Sequence, residues 1–252
     1  MAANRAAWED WSNVDPLWAI ATAPDRRDGK WDEDEFFASG RATVDELWET
    51  ASAFGLPGAT RRALDFGCGV GRLTAALRRH VDEVLGLDIS AGMVHHARSY
   101  HGGRPGVSFE VHTDADLHGY DTGSFDVVCC LLVLQHIPVA EVAEGYVTEL
   151  VRVLAPGGLL MLQLIDAVPP APRPRGLRAR LRPRTRLAGV LRRAGVDAVT
   201  LRRRLGWEPP MALVPIPVGR AHQLVEGAGG RVVWERPRSD QGVDDRLYLV
   251  TR

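Results

Sequence analysis

From Arg61 onward the hydrophobic positions switch repeatedly between two periods, short apolar runs and stretches with apolar residues three or four apart. The runs predict strands over 62–66, 82–87, 107–111, 125–134 and 158–165, and the spaced stretches predict helices over 71–79, 91–99 and 139–154. In the last of these helices Val142, Tyr146, Leu150 and Val153 share a face, Pro138 precedes the first turn, and Pro156-Gly157-Gly158 ends it. This alternation of strand and helix predicts an α/β fold, a parallel sheet with helices on both faces. The run 125–134 is apolar on both faces, which places it at the centre. A helix over 219–227 and strands over 231–235 and 246–251 follow, the two strands separated by a loop of roughly ten residues.

Two stretches stand outside this rhythm. Residues 1–58 hold five of the seven tryptophans, Trp8, Trp11, Trp18, Trp31 and Trp48. Asp32 is placed to cap a helix through Phe37, and 43–54 carries Val44, Leu47, Trp48 and Ala51 on one face before Gly55 and Pro57. An N-terminal helical cap is expected, either fastened to the core by its aromatics or serving as a lid. Residues 167–217 open with prolines, then set twelve arginines between Arg173 and Arg204 against one acid, Asp197. Leu187, Val190, Leu191 and Ala194 form one amphipathic set, and Asp197 can cap a short helix ending at Gly206. This reads as an Arg-rich helical insertion after the fifth strand, a candidate substrate lid, although Lys30 as the sole lysine marks a general arginine bias. The expected organisation is therefore a cap (1–58), a core (59–166), the insertion (167–217) and a closing helix and strands (218–252).

Composition narrows the picture further. A net charge of -1 and a pI near 6.7 give no global attraction to nucleic acid or membrane, so such a partner needs a local patch. The longest apolar run, 127–134, is far below the roughly 20 residues of a membrane span, and Met1 to Asp10 has no apolar signal core, so a cytoplasmic protein is expected. Cys68, Cys129 and Cys130 lack metal or disulfide spacing; they read as buried thiols, and no metal is expected.

The stretch that carries chemistry is Leu64-Asp65-Phe66-Gly67-Cys68-Gly69-Val70-Gly71, a strand breaking into a glycine turn ahead of a helix. A dinucleotide fingerprint, G-x-G-x-x-G, fits poorly: the third glycine comes one position early and Arg72 fills its place. The spacing D-x-G-x-G-x-G instead resembles the first motif of class I S-adenosylmethionine-dependent methyltransferases. Val84 to Ser90, Asp114-Ala115, Ser124 to Val128, Leu134 to Ile137 and Leu150 to Gly158 resemble that family's later motifs in order.

The resemblance implies a Rossmann-like seven-stranded mixed sheet, parallel with an antiparallel edge strand, and S-adenosylmethionine as cofactor, S-adenosylhomocysteine as product. By the same resemblance Asp65, Gly67, Cys68, Gly69 and Gly71 hold the methionine moiety and Asp88 accepts the ribose hydroxyls. Ile89 and Met93 flank the adenine, Asp114 and Ala115 bind its edge, and Arg41 pairs with the cofactor carboxylate. His136, just past the central strand, is the candidate general base, with an unperturbed pKa near 6.5. The residues after that strand, Leu134-Gln135-His136-Ile137-Pro138, lack the Asp/Asn-Pro-Pro-aromatic run of amino-methylating nucleic-acid enzymes. A small-molecule acceptor methylated on oxygen or nitrogen is expected, and the arginines allow it to be anionic. Nucleic acid and membrane are not expected as partners, and oligomeric state is open. A cofactor-binding protein without transferase activity, and an RNA methyltransferase using the arginines, are the alternatives.

Overall fold

Strands β1 (Arg62–Phe66), β2 (Glu83–Asp88), β3 (Val107–Val111), β4 (Phe125–Cys130) and β5 (Leu154–Ala167) run parallel, so their carboxyl ends open on one edge of the sheet. The computed structural model describes residues 1–168, 183–240 and 243–252. The prolines from Pro169 to Pro174 and the arginines from Arg173 to Arg182 lie outside them. Two further strands, β6 (Arg231–Asp240) and β7 (Val243–Thr251), complete a seven-stranded sheet in the order β3-β2-β1-β4-β5-β7-β6, with β7 antiparallel to both neighbours. These two strands extend further than expected and pair as far as Asp240↔Val243, where a loop of roughly ten residues was expected.

Side-chain alternation builds a core on each face of the sheet. Leu64, Val128 and Cys130 pack toward α6 (Ala140–Val153) with Tyr146, Val147 and Leu150. Ala63, Val127 and Cys129 pack on the other face with Val44, Leu47 and Ala51 of α3 (Glu33–Ser52) and Leu73 of α4 (Arg72–Leu77). Cys129 and Cys130 thus face opposite cores, and every residue of β4 is buried.

The N-terminal layer comprises α1 (Ala2–Val14), α2 (Pro16–Ile20) and α3. Only part of it follows the expectation from sequence. Asp32 does cap α3, its Oδ1 accepting the Glu35 N–H at 3.0 Å, but α3 is one helix where two were expected. It continues through Gly40, where a Cβ would stand 2.6 Å from the Arg72 carbonyl oxygen: the glycine lets α3 lie directly on α4. The central strand is shorter than expected, since Leu132 takes a left-handed φ of 62° and Leu134–His136 wind into a 3-10 turn.

The insertion contributes α7 (Pro183–Arg193) and α8 (Ala198–Leu205), before α9 (Val218–Gly227) returns to the core. Two of its arginines hold it to the N-terminal layer. Arg192 grips the buried Asp10 of α1 through Nη2 and Nε, at 2.6 and 3.0 Å, and Arg202 pairs with Asp28 and, at 3.9 Å, with Asp15. No helix among the described residues is long and apolar enough to cross a membrane.

Candidate active site

The glycine turn is fastened to the end of β2. The Leu87 carbonyl accepts the N–H groups of both Gly67 and Cys68, at 2.7 and 2.9 Å, and Gly69 donates to Asp88 Oδ2 at 2.9 Å. Gly67 and Gly69 both hold positive φ, 74° and 54°, and both are closely covered. A Cβ on Gly67 would meet Val133 at 2.4 Å, and one on Gly69 would meet Ile20 of α2 at the same distance. Gly71 starts α4 with its back to His101 and Phe109, away from the cavity that the other two line.

That cavity lies at the carboxyl edge of β1, β2 and β4, where open α/β sheets bind ligands. Asp65, Gly67, Cys68, Gly69, Asp88, Ile89, Met93 and His136 all line it. Arg41, Asp114 and Ala115 do not: all three are exposed. Arg41 lies on the solvent side of α3, and the guanidinium in the cavity belongs to Arg72. Asp114 only lends its backbone carbonyl to the Tyr146 hydroxyl, and β3 delivers His112 to the wall in its place. The loop after Asp114 takes a short path, in which the Asp116 carbonyl bonds His112 Nε2 at 2.7 Å.

The charged groups concentrate at the glycine end. Asp65 is buried and accepts the Thr74 hydroxyl at 2.6 Å; burial pushes its pKa up to about 6. Asp88 is held by two backbone N–H groups, those of Gly69 and Ser90 at 2.9 Å each, which leaves both oxygens with further lone pairs. Burial raises its pKa to about 6 as well, and the nearby Glu9 carboxylate adds to the rise. Arg72 is 7% exposed; its Nη1 reaches Ser39 Oγ at 3.3 Å, while its Nε has no hydrogen-bond partner. A buried guanidinium with an unmet donor is unusual, since buried polar groups are normally hydrogen-bonded.

The rest of the lining is mostly apolar. Met1, Trp8, Leu132 and Ile137 line the cavity together with His136 and the polar Asn4. His136 Nδ1 lies 2.8 Å from the Ala212 carbonyl oxygen. A carbonyl can only accept, so Nδ1 carries the proton and Nε2 keeps its lone pair. Burial lowers the His136 pKa, partly opposed by that same carbonyl, and Trp8 meets the ring edge-on at 5.3 Å. Trp8, Glu9, Arg72 and His112 were not expected here from the sequence. Arg72 stands out in it only as the bulky residue that spoils a dinucleotide fingerprint; the other three come together only through tertiary packing.

Residues 64–162 match the family model described as a methyltransferase domain. Those residues resemble a methyltransferase domain. In fold the chain resembles the magnesium protoporphyrin IX methyltransferase of Synechocystis PCC 6803, solved with bound S-adenosylhomocysteine, at a TM-score of 0.60 and 22% identity over 99% of both chains. It is 35% identical over 112 residues to a ubiquinone biosynthesis O-methyltransferase of Xanthomonas oryzae pv. oryzae, covering 44% of this chain and 45% of that one. It is 36% identical over 129 residues to a demethylmenaquinone methyltransferase of Clavibacter sepedonicus, covering 51% of each. The chain thus spans about half the length of the curated relatives it matches.

Proposed function

We propose that this protein transfers the methyl group of S-adenosylmethionine to an oxygen of a small, apolar acceptor and releases S-adenosylhomocysteine. The observation that carries the reading is a single cavity joining Asp88 and Arg72 at one end to a neutral, Nδ1-protonated His136 at the other. The names of the Xanthomonas and Clavibacter relatives favour a small-molecule acceptor, and the former favours oxygen.

The residues fit the cofactor. Two free lone pairs on the Asp88 carboxylate match the paired hydroxyls of a ribose, the unmet Arg72 donor matches an amino-acid carboxylate, and Ile89 and Met93 offer an apolar slot to a purine. We assign to Arg72 the role expected of Arg41. When bound, the cofactor supplies an electrophilic sulfonium methyl, which leaves the protein to align the acceptor and remove its proton. His136 removes it: the Nε2 lone pair takes the hydroxyl proton while the Ala212 carbonyl stabilises the imidazolium that results.

The described lining also favours an uncharged acceptor over an anionic one. Arg72 is the one arginine or lysine among the lining residues, and it sits at the glycine end, while Arg192 and Arg202 are already held by acids of the N-terminal layer. Incubation with methyl-labelled cofactor and a panel of phenols, catechols and amines tests the proposal. Label should pass to a hydroxyl, and His136→Asn should lower kcat by about 100-fold or more with cofactor affinity unchanged. Cofactor binding without transfer to any acceptor would instead favour a binding protein.

A further inference from the structure

The overall charge of -1 conceals a segment of opposite character, the twelve arginines against one acid between Arg173 and Arg204. In its described part α7 and α8 divide their faces. Ala188, Ala198 and Leu201 turn inward and are buried. Arg192 and Arg202 also turn toward the body of the protein, onto Asp10 and Asp28. Outward, Leu187, Val190 and Val199 are 50%, 58% and 47% exposed, and together they are three of the eight large exposed hydrophobics among the described residues. Leu187 and Val190 lie three apart and share one side of α7. Arg193, Arg203 and Arg204 are exposed as well and make no ion pair with described residues.

We infer that α7 and α8 form a surface that docks this protein on an anionic phospholipid membrane. Aliphatic side chains flanked by long cations suit the boundary of a bilayer: the former enter the acyl region while arginines bury their stems and raise their heads to the phosphates. An RNA-binding face would set aromatic rings among the arginines for base stacking, and neither α7 nor α8 contains one. A second copy of this chain would bring arginine-rich faces together, which like-charge repulsion opposes.

The position of the surface gives it a use. The chain leaving α8 runs directly to Ala212 and Val214, whose backbones bond His136 Nδ1 and the Gln135 carbonyl at 2.8 Å each. The docking face is therefore joined to the His136 side of the cavity, where a lipid-soluble acceptor would enter from the bilayer. Docking stands on the surface alone; only the supply of acceptor rests on the methyl-transfer reading.

Co-sedimentation of the full chain with sucrose-loaded vesicles tests the docking. Vesicles containing roughly one-third phosphatidylglycerol should carry the protein down and pure phosphatidylcholine vesicles should not. Leu187→Ser/Val190→Ser/Val199→Ser should weaken the binding at least about tenfold, because it removes the apolar insertion and leaves the charges. Cofactor titration by calorimetry on the same variant should match the wild type, which separates a docking defect from misfolding or from loss of the active site. The inference is overturned if the wild type stays in solution with anionic vesicles, or if the serine variant sediments as the wild type does. It is overturned equally if ultracentrifugation finds that these residues hold a dimer while vesicles bind nothing.

Discussion

Glu9 of α1 accepts the Ser90 hydroxyl at 2.8 Å and, with the same oxygen, the Gly92 N–H at 3.1 Å, although Glu9 and Ser90 are 81 residues apart in the chain. Ser90 in turn caps α5 (Ala91–His101), its Oγ accepting the Met93 N–H. The N-terminal helix is thus pinned to the helix start beside Asp88, where a carboxylate also meets the favourable end of the helix dipole. Glu9→Ala should free α1: hydrogen bonds to a charged group are worth about 1.5–3 kcal/mol, so amide exchange in α1 should accelerate at least about tenfold and cofactor should dissociate faster. Unchanged exchange in α1 would show that its aromatic contacts alone hold it.

A pH dependence follows from Asp88. With its pKa raised from 3.8 to about 6, the folded, unliganded protein keeps a proton that the unfolded chain has already released, so this group's contribution to stability falls as pH rises through that window. Ribose hydroxyls donate, and therefore prefer the ionised carboxylate. Cofactor affinity should accordingly be full above about pH 6 and decline below it. Calorimetry across the window should find that step, and Asp88→Asn should remove it while weakening binding. Persistence of the step in Asp88→Asn would transfer it to Asp65, which is raised to the same range. Glu9→Ala should shift the step to lower pH, since the Glu9 charge helps to raise Asp88.

Arg72→Ala separates receptor from scaffold. The buried Nε bonds nothing in the free protein, but truncation also removes the Nη1 bond to Ser39 and the positive charge near the buried Asp65, so thermal stability should fall modestly while the fold persists. Cofactor affinity should fall by about 10- to 100-fold, the effect of a lost charge-assisted bond of roughly 1.5–3 kcal/mol. Arg41→Ala, a change on the exposed side of α3, should have no effect. The reverse ranking in a cofactor titration would return the carboxylate to Arg41.

Gly69→Ala combines two penalties that a second substitution can divide. An alanine at φ 54° costs about 1–2 kcal/mol, and its Cβ must displace the Ile20 side chain from 2.4 Å. Pairing the change with Ile20→Ala should relieve the clash and leave the backbone cost. Thermal denaturation should therefore find the double mutant less impaired than the sum of the two single changes. Strict additivity would mean that α2 does not rest on the turn in solution.

Much of this architecture was legible because its signals are local. The alternation of periods, the Asp32 cap and the glycine spacing each act over a few residues; from them came the parallel sheet and its central strand, and the family resemblance of the motifs implied seven of the cavity-lining residues, with His136 added by its place after that strand. What failed was long-range. Gly40 gives no local sign of a contact, yet its missing Cβ is what lets α3 lie against α4. Asp114 satisfies a motif, but the path of its loop leaves it exposed and turns His112 inward. Arg192 and Arg202 carry the same charge signal as the free Arg203, and only packing reveals which of them are tied down.

The placement of β7 between β5 and β6 also sets an order of assembly during translation. β5 pairs with β7 from Leu160↔Val250 to Ala167↔Asp244, so its outer edge has no partner until the last strand of the sheet has been synthesised. The nascent chain can close the cofactor half, β1 to β4, while still presenting a long apolar β5 edge that includes Leu160, Leu162 and Leu164. Such an edge is a template for pairing with other chains. The interval between synthesis of β5 and of β7 is therefore when this protein is most exposed to aggregation, and slower, cooler expression should raise soluble yield.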